Sequence, residues 1–228
     1  MGLGSNWYSV PYRELAMDDR PVPLRARKQQ RTRDSVVEAA MALFDERGFE
    51  AVTVADIAAA AEVGRTTFFR YFADKQEVLF ADDEELRRVL VTESERVAAT
   101  VAPIGSSLTD ALLVTRAGLR ALTERTTKWS HRLALAERLI GAHPELAARA
   151  LVKQHGYVRA GTEVLIRHGA TPETATLAAG IAAACYNAGQ AGTVRTGRPL
   201  LSTVDRMFRD LAGLDGDALR AGLRARRH

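Results

Sequence analysis

A chain of 228 residues, 46% of them hydrophobic, is long enough to bury a sizeable core as one large domain or two small ones. Lys and Arg outnumber Asp and Glu by 32 to 28, a formal charge of +4, which permits a nucleic-acid partner without demanding one. One cysteine, Cys185, excludes an internal disulfide and a Cys-rich zinc site. No apolar run reaches the roughly 18 residues of a membrane-spanning helix, and Met1 to Tyr12 lacks a signal-peptide pattern, so the expectation is a cytoplasmic globular protein with no membrane partner.

Residues 1–23 hold Pro11, Pro21 and Pro23 without a sustained period and are read as an irregular extension. Five basic residues with no acid among them follow: Arg25, Arg27, Lys28, Arg31 and Arg33. Such a run is either the solvated start of a helix or a flexible arm that lies along phosphates or in a minor groove. Val36, Ala40, Leu43 and Phe44 then share one face of an amphipathic helix, with Gly48 suited to the left-handed position past its end. Thr53 with an acid three residues on, Asp56, is an N-capping pattern. It opens a helix of about two turns carrying Val54, Ile57, Ala58 and Ala61 on one side. After a break at Glu62, Val63 and Gly64, a third short helix is predicted from Arg65 to about Phe72, with Phe68 and Phe72 inward.

A fourth helix is expected after Asp74, buried through Leu79, Leu86, Leu90 and Val97, and ending before Pro103. Further helices are predicted at 108–124, 128–141 and 144–168. Leu146, Ala150, Leu151, Val158, Thr162 and Leu165 form the inner face of the last of these, and Gly169 closes it. Thr171, Pro172 and Glu173 open another, with Leu177, Ile181, Ala184, Cys185 and Ala188 as its apolar positions. Val204, Met207, Phe208 and Leu211 mark a final one. No alternating strand pattern is present, so the predicted fold is all-α.

Two short helices joined by a three- or four-residue turn form a helix-turn-helix, whose second helix enters the major groove N-terminus first. Arg65, Thr66 and Thr67 open that second helix. Arg can bond a guanine twice, and Thr offers a hydroxyl and a methyl group. Arg70, Tyr71 and Lys75 follow with donors suited to phosphates. Thr53 presents a hydroxyl at the start of the preceding helix. On spacing alone a small helical bundle with a basic surface fits equally well.

Three stretches, Ala39 to Phe49, Thr53 to Ala61, and Val63 to Phe72 with Asp74 and Lys75, make residues 32–80 resemble the DNA-binding domain of TetR-type transcriptional regulators. The resemblance implies a helix-turn-helix head with a basic arm at 24–80 and a fourth helix leading into a ligand-binding and dimerisation domain at 81–228. It implies a homodimeric repressor on palindromic double-stranded DNA, released by a small-molecule effector. Matched by position, Thr53 and Lys75 contact phosphate, Arg65, Thr66 and Thr67 read bases and backbone, and Arg70 and Tyr71 face the sugar-phosphate chain. Arg31 and Arg33 of the basic run add further DNA contacts. Three residues depart from the family pattern: Phe69 replaces a tyrosine, Glu62 a turn glycine, and Gly64 a Ser or Thr cap. Phe69 and Glu62 keep open the alternative of a helical dimeric module that has lost specific DNA binding.

Beyond residue 103 the pattern is generic. Gly180, Ala184, Ala188 and Gly192 recur every four residues, a smooth stripe suited to close helix approach. With Phe208 on the last helix it is assigned either to a dimer interface or to packing within one subunit. Trp129, His155, Tyr157, Tyr186 and Asn187 are the candidate contacts of a small, hydrophobic ligand. The five histidines make no metal-ligand spacing, and there is no Gly-rich phosphate loop or nucleophile elbow. The chain is therefore read as a non-enzyme without cofactor or metal, with Cys185 as inert core.

Overall fold

The computed structural model describes residues 24–127 and 130–213; the 1–23 extension and Trp129 lie outside them. The described residues form helices joined by short turns and loops: α1 (Leu24–Arg47), α2 (Val54–Ala60), α3 (Arg65–Tyr71), a 3-10 turn (Glu77–Phe80), α4 (Asp83–Val101), α5 (Leu108–Thr126), α6 (Ser130–Ala142), α7 (Pro144–Arg167), α8 (Pro172–Thr196) and α9 (Leu200–Ala212). Among them the only β-type pairing is an isolated bridge between Gly105 and Ala170. No helix there is long and apolar enough to cross a membrane.

The head is α1 to α3. Val36, Ala40 and Phe44 of α1 meet Ile57 of α2 and Phe68 of α3 in one buried cluster, to which the 3-10 turn adds Val78. Local grammar sets the boundaries. Gly48 ends α1 at φ +80°, a backbone that a Cβ disfavours. Thr53 and Asp56 close a full capping box on α2: Thr53 Oγ accepts from the Asp56 amide at 3.2 Å, and Asp56 Oδ2 accepts from the Thr53 amide at 2.9 Å. The Asp56 carboxyl is held below its ordinary range by those Thr53 hydrogen bonds. The turn before α3 places Glu62 at φ +53°, the left-handed conformation that the family's glycine would relieve.

The basic run 25–33 forms the first turns of α1, so it is a helix start and not a flexible arm. Asp74 accepts the Glu77 amide at 2.9 Å, but Glu77 opens the 3-10 turn, whose N-cap position is Gln76, and not α4. α4 starts only at Asp83, because the chain first turns to bury Val78 and Ala81 against the head.

The body is α4 to α9. α4 lies along α5 and crosses α7, and α8 packs on α5, α7 and α9. One core gathers Val91, Ala98, Val114, Val164 and Leu165; a second holds Leu119, Cys185, Val204 and Phe208. α4 and α5 meet closely at Gly118, where an added Cβ would lie 2.2 Å from Ser94 Oγ and 2.7 Å from the Leu90 carbonyl oxygen. α6 and the start of α7 reach the head: Leu135, Leu139 and Leu146 belong to the head's cluster.

Two predicted faces differ. Leu151 is 66% exposed, because the buried side of α7 is Leu146, Gly161, Val164 and Leu165. Five residues on from Leu146 is about 140° around the helix. On α8, Leu177, Ala184 and Ala188 are exposed, and Ala175, Ala178, Ala179, Ala182 and Cys185 are buried. Alanine and glycine are so frequent there that apolar spacing alone does not choose a side.

Candidate nucleic-acid interface and ligand cavity

α3 presents its N-terminal residues outward. Arg65 and Thr66 are exposed and Thr67 is half-buried, while Phe68 anchors the helix at 0% exposure. Phe69 is 49% exposed and packs edge-on against Phe68, so an aromatic ring stands on the surface where the resemblance expects a phenol. Gly64 caps α3 without a side-chain bond. The start of α1 lies beside the end of α3: Arg25, Lys28 and Thr32 line one open groove with Arg70 and Tyr71. Arg70 lies 5.1 Å over the Tyr71 ring and donates to its hydroxyl at 3.4 Å. The head therefore joins the helix opening Arg65–Thr67 to a cationic groove built from two helices.

Three predicted contacts are engaged inside the protein. The Lys75 ammonium donates to the carbonyls of Phe49 at 2.8 Å, Val52 at 3.0 Å and Glu50 at 3.4 Å, and lies 4.4 Å over the Phe49 ring. It closes the loop between α1 and α2. Arg33 donates to the Ala81 carbonyl and stacks over Phe72, which pins α1 to the end of the 3-10 turn. Thr53 is exposed, but its hydroxyl proton goes to Asp56 Oδ2 at 2.5 Å. Arg31 is exposed and lies outside the groove. Arg25 and Lys28, unlike Arg31 and Arg33, lie on the α3 side. Arg25 and Lys28 are three apart along one helix, but Arg31, three further on, lies outside the groove, so spacing alone does not mark its members.

Within the body, α4 to α8 and the 3-10 turn enclose a cavity of about 710 Å³. This is a drug-sized space. Its walls are mainly aliphatic, with Leu86, Leu90, Leu119, Leu122 and Leu133 among them. Of the predicted ligand contacts, Tyr157, Tyr186 and Asn187 line it. His155 is on the exposed side of α7 and does not. Tyr157 donates to the Asp83 carbonyl at 3.0 Å, and burial, then the Asp83 charge, raise its hydroxyl's pKa. Tyr186 accepts from Gln190 at 2.8 Å; burial, reinforced by the charge of Glu137, pushes its pKa up to about 12. Both phenols are neutral near pH 7. Asn187 accepts from Gln154 at 2.8 Å. Sequence reasoning did not single out Glu137, whose carboxyl burial pushes up, or Ser94, 1% exposed with a hydroxyl that has no partner among the described residues. No single-residue signal marks either of them, because the cavity exists only once five helices assemble.

One face of α7 runs from this cavity to the head. Arg149, Lys153 and Tyr157 stand four residues apart. Arg149 donates twice to Asp74, at 2.9 Å each, and to Glu77 at 3.0 Å. Burial opposes ionisation of Asp74, yet the Arg149 bonds and the Glu77 amide outweigh it and hold the carboxyl below its ordinary range. Lys153 pairs with Glu77 at 3.1 Å and Asp83 at 3.7 Å. Lys153 and Tyr157 line the cavity, while Arg149 holds the segment that leaves the head.

Of the stripe on α8, Gly180, Ala184 and Ala188 are exposed. Gly192 is buried against Thr203 of α9, and Phe208 is in the core that joins α5, α8 and α9. Cys185 is buried there as well, and its thiol is pushed up by burial.

Residues 36–81 match the family of "Bacterial regulatory proteins, tetR family". The HTH-type transcriptional regulator TcmR of Streptomyces glaucescens is 53% identical over 55 residues, 24% of this chain and 24% of TcmR. The match thus spans about a quarter of that relative's length. The fold is shared with the fatty acid degradation regulator FadR of Bacillus halodurans (TM-score 0.54, 21% identity, 80% of this chain and 99% of that one). It is also shared with a transcriptional regulator from Aquifex aeolicus VF5 (TM-score 0.52, 15% identity, 79% and 98%) and with SmeT in complex with triclosan (TM-score 0.51, 18% identity, 78% and 90%).

Proposed function

We propose that the chain, whose residues 36–81 match the TetR-family model, is a homodimeric transcriptional repressor, held on a palindromic operator and released by a small molecule bound in the body. The observation that carries this reading is a juxtaposition: an outward α3 with Arg65 and Thr66 at its start, and an apolar cavity joined to the head by one face of α7. Arg65 reads a base edge, Thr66 and Thr67 contact base or backbone, and Arg25, Lys28 and Arg70 neutralise phosphates. Tyr71 borders the same groove. Two-fold symmetry sets the two α3 helices about 34–36 Å apart.

Dimerisation uses the exposed side of α8, where Leu177 is 52% exposed beside Gly180, Ala184 and Ala188. Release is linkage: an effector that favours the body conformation with the wrong head spacing draws population off DNA. The Arg149–Asp74 bridge and the Lys153 pairs transmit that preference. The regulator acts in the cytoplasm, where its DNA is.

The test is selection of binding sites from random duplex DNA at about 150 mM salt, where non-specific binding is weak. A recovered palindrome is the expected result. A folded dimer that enriches no motif would move the reading to a ligand-binding module without DNA recognition.

A further inference from the structure

The charged groups on the cavity wall are unequal. Arg132 pairs with Asp82, and Lys153 pairs with Glu77 and Asp83. Glu137, on α6, has no hydrogen-bond or ion-pair partner among the described residues, although it is half-buried and lines the same space. A carboxylate without a counter-ion on an apolar wall is costly, and the cost falls when a cation enters beside it. The aromatic rings stand nearby. Glu137 from α6, Tyr157 from α7 and Tyr186 from α8 all line this one cavity, and the charge of Glu137 reinforces the effect of burial on Tyr186. Neutral phenol rings attract cations through their faces, and the Tyr157 hydroxyl proton is already committed to the Asp83 carbonyl. Leucine and alanine make up much of the remaining wall, with Phe80, Ile140 and Val158, which favours a bulky apolar body on the same molecule.

We propose that this cavity takes lipophilic cations, with the Glu137 carboxylate as the counter-ion and Tyr157 and Tyr186 as the aromatic wall. The inference names the effector class and so rests on the cavity being the effector site.

Tetraphenylphosphonium and tetraphenylborate have nearly the same shape and opposite charge, which isolates the sign of the preference. Calorimetric titration of the full chain, without DNA, is expected to show the cation binding at least tenfold tighter than the anion. Glu137→Gln keeps the side chain's size and removes its charge, and it is expected to abolish that preference while leaving the thermal midpoint of unfolding within a few degrees. Should Glu137→Gln unfold the chain, Tyr186→Leu, which removes a ring and keeps Glu137, is expected to weaken the cation several-fold and the anion hardly at all. Equal affinity for the two ions, tighter binding of the anion, no binding of either, or an unchanged preference in Glu137→Gln would each overturn the proposal. Release from the selected operator is measured separately. Cation binding that leaves the operator complex intact would sink the repressor mechanism and leave the cation site standing.

Discussion

The head and the body of this protein follow different rules of legibility. In the head, most of the proposed DNA-contacting surface comes from one short stretch, 53–71, where the Thr53–Asp56 box and the left-handed turn at Glu62 are local chemical markers, and only the start of α1 is added from elsewhere. In the body, the cavity is built from five helices, and Glu137, the lining carboxylate without a partner among the described residues, has no local signature. Local motifs announce surfaces made by one segment; enclosed sites appear only after packing.

The largest expected effect separates the two faces of α7. Leu165 is fully buried and Leu151 is 66% exposed. Leu165→Ala is expected to cost about 2–5 kcal/mol, and Leu151→Ala to stay within about 0.5 kcal/mol, both read by urea unfolding. Equal losses would return Leu151 to the core.

Next comes Lys75, which belongs to the head by sequence and to its internal scaffold by geometry. Lys75→Ala leaves three carbonyls without their shared donor. A loss of about 1.5–3 kcal/mol is expected in unfolding without DNA. Full stability with weakened DNA binding would place the lysine on phosphate instead.

The groove shared by α1 and α3 gives a smaller effect in a different observable. The double variant Arg25→Ala, Lys28→Ala is expected to shallow the log–log salt slope of DNA binding by about 2 per subunit. An unchanged slope would remove the start of α1 from the interface. The smallest effect is a gain. Glu62→Gly relieves a left-handed residue at φ +53°. It is expected to stabilise the head by up to about 1 kcal/mol, reduced by the extra freedom that glycine brings to the unfolded chain. A loss of stability would mean that the Glu62 side chain contributes a contact that offsets its strain.

The all-α fold and the order of helices were legible because apolar spacing and caps agree along the chain, as in the Thr53–Asp56 box and the Pro172 start of α8. α4 was placed too early because Asp74 does accept an amide three residues on, but that amide belongs to a 3-10 turn that buries Val78. Faces failed where composition blurs them, as on α8, and the basic run was only half resolved. Its residue types suited phosphate, but only the helix shows that Arg33 turns inward to Ala81 while Arg25 and Lys28 face α3. Tyr157, Tyr186 and Asn187 emerged as cavity residues because polar groups on aliphatic helices are rare; His155 met the same criterion and lies on the outer side.

The most direct test of the central claim compares wild type with Arg65→Ala on the selected operator and on a scrambled duplex of the same length. The account predicts a loss of about 1–3 kcal/mol on the operator, relaxed choice at one base position, and little change on the scrambled duplex. Equal loss on both would make Arg65 a phosphate contact and contradict base reading by the start of α3.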